Sequence, residues 1–202
     1  SRKYDTRTTT FSPEEKRNYN ELLDDMGSEK IYKISNDICC CVAGVSSDAN
    51  VIIQMMRERA QSFYKTYQEP IHLEQLVTAV CDVKQQYTQL GGYRPFGVSI
   101  LYIGWDNVYG YQLYQSDPSG NYSGWNATCV GLNNNKALLK LKQDYKEMIT
   151  VEESKGIILK IMQEALETDY ISSKNMEIAI FKRENDKSII HILSPEEILA
   201  LP

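Results

Sequence analysis

The stretch that most limits what this chain can fold into is Thr88–Asp106, TQLGGYRPFGVSILYIGWD. Two glycines, an Arg-Pro pair and an uninterrupted apolar run follow a segment with helical periodicity. A phosphate cradle has its glycines after a strand and before a helix, because the helix N-terminus supplies the donors and the favourable dipole. Here the order is reversed. Gly91 and Gly92 end a helix, Pro95 forces Arg94 into an extended conformation, and a buried strand follows. The stretch reads as a hinge, not as a ligand loop.

The rest of the chain divides by hydrophobic period. Ser46–Tyr67 predicts an amphipathic helix, capped by Ser46 or Ser47, with Val51, Met55, Ala60 and Phe63 at helical spacing, Ile52 and Met56 beside them, and Pro70 closing it. Leu73–Leu90 repeats the pattern through Leu76, Val77, Val80, Val83 and Tyr87, with Gly91 where a left-handed C-terminal cap belongs. Phe96–Trp105 and Tyr109–Tyr114 predict strands around a turn at Asp106-Asn107, and Trp125–Val130 a third strand. Lys136–Glu147 and Val151–Thr168 predict helices, the second with Thr150 and Glu153 at capping-box spacing. Met176–Arg183 and Ser188–Leu193 predict a strand pair around ENDK. Ser194, Pro195 and Glu197 then open a short helix. Paired helices between runs of antiparallel strands imply an α/β fold of four layers, α/β/β/α.

Composition narrows the function classes. With 22 basic against 27 acidic residues the net charge is -5, and the longest basic cluster, Lys182-Arg183, is at once diluted by Glu184 and Asp186. That argues against a duplex nucleic-acid binder. At 202 residues the chain suits one domain with a real core. Three of its five cysteines, Cys39, Cys40 and Cys41, are consecutive. Neighbours on a strand point to opposite faces, so they form no common metal site and read as small buried hydrophobes in a reducing compartment. No apolar run approaches membrane-spanning length and no signal segment opens the chain, so a soluble, intracellular protein is expected.

Reactive chemistry is hard to find. His72 follows a proline at a helix start and His191 lies within a strand, neither in a nucleophile motif. Asp24-Asp25 and Glu152-Glu153 are adjacent carboxylates in helical segments, where solvation or capping is the ordinary account. No metal or cofactor is expected.

A series of motifs carries more than a fold class: YDTRTTTFSPE (4–14), SEKIYKI (28–34), VAGVSSDAN (42–50), YTQLGGYRPFGVS (87–99), YQLYQSDPSGNYSGW (111–125) and LKQDYKE (141–147). In this order they closely resemble the alpha-type subunits of the 20S proteasome. The resemblance implies the same four-layer sandwich, of the N-terminal nucleophile hydrolase type. It also implies a non-catalytic role in the seven-membered outer ring of the core, in the cytoplasm and nucleus, serving ubiquitin-dependent protein degradation. The implied partners are neighbouring alpha subunits, the beta-ring subunits and activators such as the ATPase regulatory particle, with no nucleic acid, membrane or cofactor. Residues 1–14 would be the gate tail and 15–202 the single domain.

Site residues follow from the same resemblance. Tyr4 and Asp5 match the pair through which alpha tails interlock at the pore, and Pro13 the reverse turn that directs the tail. Lys30 matches the lysine that receives the terminal carboxylate of an activator's tail, and Gly44 the backbone beside it. An ammonium pairs with a carboxylate, and a glycine lets a peptide approach closely. Catalytic relatives expose an N-terminal threonine on an apolar first strand, whereas this chain begins with the polar run Ser1-Arg2-Lys3-Tyr4-Asp5. The alternatives are a free-standing hydrolase using Ser1 as nucleophile, and a truncated form that does not assemble. The second arises because the family continues after FSPE with a glycine, a QVEYA-type helix and two strands. Here Glu14 runs straight into EKRNYNELLDDMGSEK. That segment has a helix signal of its own, in Ser12, Pro13 and Glu15.

Overall fold

The computed structural model of the chain describes residues 8–10, 30–147, 149–166 and 177–199. Its centre is a five-stranded antiparallel sheet. The strands are β2 (Ile31–Lys33), β3 (Ile38–Gly44), β4 (Val98–Asp106), β5 (Gly110–Ser116) and β6 (Tyr122–Gly124), paired in that order. A second antiparallel sheet of three strands is ordered β1 (Thr8–Thr10), β7 (Ile178–Glu184), β8 (Lys187–Ile192). Both helix pairs form outside these sheets: α1 (Ser46–Tyr67) with α2 (Leu73–Gln89), and α3 (Asn134–Asp144) with α4 (Val151–Leu166). A short helix, α5 (Pro195–Leu199), follows.

The consecutive cysteines show why β3 and β4 read as unbroken apolar runs. A strand between two packed layers is buried on both faces, so alternation disappears. Cys40, Val42, Ile100 and Tyr102 join the cluster built with Ile52 and Met56 of α1 and Leu76 and Val77 of α2. Cys39 and Ile103 face the other way onto Phe181, and Cys41 and Leu101 onto Ala179. On β7 the neighbours Ile178 and Ile180 point outward to Val151, Leu159 and Ile198. Successive residues thus supply opposite interfaces, and the four layers predicted from element order are present. Arg183 stacks 3.4 Å above the Trp105 ring and joins the two sheets at one end.

Local details differ from the sequence reading in several places. The buried stripe of α1 runs through Ile52, Ile53 and Met56, whereas Val51 is exposed. Its N-cap is Val45, not Ser46 or Ser47, because the Val45 N–H donates to the Gly97 carbonyl at 2.9 Å and fixes the helix start one residue earlier. That helix ends with Gln68 in the left-handed conformation, before Pro70 is reached. Helix α2 ends in an extended residue, Leu90, and the left-handed glycine is Gly92 (φ 85°), not Gly91.

The third strand of the first sheet is Tyr122–Gly124 rather than Trp125–Val130. The Trp125 N–H still reaches the Leu113 carbonyl, but the chain then leaves the ladder. Cys129 packs toward Ala137 and Ile161 while Val130 packs between the sheets. The side chains alternate as in a strand, yet among the described residues no strand lies beside this segment to pair with it.

Candidate functional site

Lys30 and Gly44 are fourteen residues apart in sequence and come to one end of the five-stranded sheet. Register does this. Ile31 pairs with Cys41, so Lys30 falls opposite Val42, whose N–H donates to the Lys30 carbonyl at 3.3 Å. Gly44 lies two residues further along β3, about 7 Å at strand rise. The Lys30 backbone N–H donates to Glu177 Oε2 at 3.2 Å, which ties the start of β2 to the start of β7.

Gly44 has φ of 131°, and a Cβ there would fall 2.1 Å from the Gly97 carbonyl oxygen. No other residue fits. The 22-residue helix α1 begins immediately after Val45, with no side chain capping its first turn. A lysine, a glycine backbone and the positive end of a long helix therefore share one edge of the molecule.

The Gly91–Gly97 hinge packs onto this edge. Arg94 donates two hydrogen bonds to Asp48, from Nη1 to Oδ2 at 2.6 Å and from Nη2 to Oδ1 at 2.8 Å. The Gly97 N–H donates to the same carboxylate at 2.9 Å. Asp48 is buried, and the Arg94 guanidinium, with the Gly97 amide, holds its carboxyl down at about 2. Two segments distant in sequence, VAGVSSDAN and GGYRPFG, form one hydrogen-bonded unit. The sequence reading treated Arg94 only as a residue extended by its proline and did not single out Asp48. Neither an Arg nor an Asp signals its partner without the fold.

Lys84 was missed as well, though a signal existed. It continues the buried stripe of α2 from Val77, Val80 and Cys81. Its ammonium is fully buried and donates to the Val98 carbonyl at 3.0 Å, Ser116 Oγ at 2.9 Å and the Asp117 carbonyl at 3.2 Å. Tyr102 Oη lies 2.9 Å from the same Ser116 oxygen. A serine beside a lysine resembles a nucleophile and its base. With Ser116 and Lys84 both at zero exposure, no substrate reaches it, and the group is a structural tie.

Each histidine lies beside a carboxylate. His72 Nδ1 lies 3.6 Å from Asp106 Oδ2 at the start of α2, and His191 Nε2 lies 3.1 Å from Glu197 Oε1. The described residues contain no group of three or more potential metal ligands. Among them, no helix is long and apolar enough to cross a membrane. Ser1, Tyr4, Asp5, Pro13 and the Glu14-Glu15 junction lie outside the described residues.

Among the described residues, the inner strands carry buried thiols and no open nucleophile–base pair. The model for proteasome subunits covers residues 14–181, and the chain belongs to the proteasome subunit family. Within that family it is similar to proteasome subunit alpha type-4 of Drosophila melanogaster, at 41% identity over 235 residues, covering 98% of this chain and 89% of that protein. Similarity to alpha type-4 of Spinacia oleracea is 42% over 232 residues, covering 98% and 93%. For alpha type-4-A of Arabidopsis thaliana it is 42% over 235 residues, covering 100% and 94%. These alignments are longer than the 202-residue chain, so the relatives carry residues with no counterpart here.

Proposed function

We propose that this chain is a non-catalytic alpha-type subunit of the outer ring of the 20S proteasome core, at the third position of a eukaryotic alpha ring. There it contributes to pore gating, activator docking and ubiquitin-dependent protein degradation in the cytoplasm and nucleus. The relatives, all alpha type-4 subunits by name, support the assignment. Its partners are the neighbouring alpha subunits, the beta ring below and activators above. Residues 1–14, with Tyr4, Asp5 and Pro13, form the gate tail, and the remainder is one domain.

The observation that carries the docking role is the β2–β3 register, which brings Lys30 and Gly44 to the end of the sheet where α1 begins. A peptide carboxylate placed there meets an ammonium and the positive pole of a helix. Gly44, where no side chain fits, stands beside it.

The test is Lys30→Ala in assembled particles, titrated with a C-terminal activator-tail peptide at fixed salt. Loss of one charge-assisted hydrogen bond costs about 1.5–3 kcal/mol, so affinity for the single peptide falls by roughly ten- to a hundredfold. Lys30→Arg falls between, because guanidinium directs its donors differently. A whole activator shows a smaller loss, since several tails bind at once. Equal affinity of wild type and Lys30→Ala removes Lys30 from the site.

A further inference from the structure

We propose that Arg94, which lies outside the Lys30–Gly44 site, is the positioning residue that holds that site's backbone in its binding geometry. The inference rests on the docking role just proposed and adds the device that sets it.

The connection runs through consecutive contacts. Arg94 grips both oxygens of Asp48. Asp48 Oδ2 in turn accepts the Gly97 N–H, and the Gly97 carbonyl accepts the Val45 N–H at 2.9 Å. That carbonyl is the atom which leaves no room for a side chain at Gly44. The place of Gly97 therefore fixes the Gly44–Val45 peptide, the start of α1 and the edge along which a tail would run.

Each link has a physical reason. Asp48 is in the first turn of α1, where a carboxylate is favoured. A planar guanidinium matches its two oxygens, which fixes orientation as well as distance. Gly97 is close-packed, since a Cβ would come 3.0 Å from Val45 Cγ2, so the hinge cannot slide without moving Val45. Arg94 itself is 68% exposed. Solvent already satisfies such a side chain, so its bidentate grip orients Asp48 as well as stabilising it.

The experiment compares four assembled particles: wild type, Lys30→Ala, Arg94→Ala and the double variant. Each is titrated with an activator-tail peptide ending in a free carboxylate, and with the same peptide amidated. Arg94→Ala weakens the carboxylate peptide by about two- to thirty-fold, the range for residues that act on a site without touching the ligand. It also narrows the difference between carboxylate and amide, which general destabilisation leaves unchanged. In the Lys30→Ala background the Arg94 substitution has little further effect, because the cation that its geometry serves is gone. Arg94→Lys restores part of the loss and serves as the comparison should the alanine variant fail to assemble. If Lys30→Ala weakens binding and Arg94→Ala does not, the positioning role is overturned while the docking site stands. If neither weakens binding, both fall.

Discussion

The ammonium of Lys84 on α2 lies 3.0 Å from the carbonyl oxygen of Val98, the first residue of β4, with neither side chain reaching solvent. A helix is thereby fastened to a central strand by a buried charge. Burial holds the Lys84 ammonium down at about 8, opposed by Cys81 and Asp117.

Lys84→Met keeps the volume but removes the donor shared by Val98, Ser116 and Asp117. The uncompensated acceptors cost about 1–3 kcal/mol. The pH dependence is more diagnostic. A lysine whose folded value is lowered contributes stability that is present above the unfolded value near 10.5 and is lost as pH falls through about 8. Wild type therefore gains on Lys84→Met as pH rises from 8 toward 10.5. Urea denaturation of both proteins at several pH values across that window checks it. A constant difference refutes the buried charge.

The thiols act in the opposite direction. Burial pushes Cys39 up to about 12 and Cys81 and Cys129 up to about 11, and also raises Cys40 and Cys41. These groups contribute stability that is present below pH 9 and is lost as pH rises through the folded values. Stability falls above pH 9 for wild type and Lys84→Met alike, and the thiols other than Cys81, whose value the Lys84 charge lowers, cancel in the comparison above. A thiol reagent at neutral pH modifies Cys129 first, as the one cysteine not fully buried. Rapid reaction of Cys40 in the native protein contradicts the layered core.

Asp48→Asn tests the acid side. The Asp48 carboxyl, held at about 2 by Arg94 and the Gly97 amide, contributes stability that is present above its ordinary value near 3.8 and is lost as pH falls through about 2. Asparagine accepts more weakly and cannot take both guanidinium bonds. The variant is destabilised at pH 7 by about 1.5–3 kcal/mol and approaches wild type near pH 2. The difference in denaturation midpoint between pH 7 and pH 2.5 measures it; a gap that persists unchanged in acid shows that the carboxylate charge is not what matters.

Trimming the residues before Thr8 tests the proposed gate. The tail would obstruct the pore and supply no reactive group. Its removal from an intact particle should raise small-peptide hydrolysis without changing cleavage preference. Unchanged turnover removes Tyr4 and Asp5 from the gate.

Much of the fold was legible because it depends on local periodicity and turn chemistry. The two-residue ENDK turn is one case: Asn185 and Asp186 both have positive φ, as a primed turn with right-handed strand twist requires. Both capping boxes form as read, with Thr150 and Glu153 exchanging hydrogen bonds, and Ser194 and Glu197 likewise. The opposite facing of Cys39 and Cys40 follows from strand geometry alone.

What local pattern does not contain is the identity of a partner distant in the chain. Whether Ser46 or Val45 caps α1 was decided by the Gly97 carbonyl, 52 residues downstream of Val45. Trp125–Val130 has strand chemistry, but a strand needs a neighbour for its ladder, and sequence period does not say whether one is present. The place of Lys84 in the α2 stripe hints at burial, but its three acceptors, from β4, β5 and the turn after it, meet only in the fold. Arg94 and Asp48 become a pair only when α1 and the hinge meet at the same sheet edge. The sequence by itself determined the helices, the β4–β5 and β7–β8 pairs, their order and the family motifs, since periodicity, capping and turn preference act within a few residues. The tertiary structure alone decided which charges are buried, which backbone groups meet and where Lys30 stands relative to Gly44, because those depend on contacts between residues far apart in the chain.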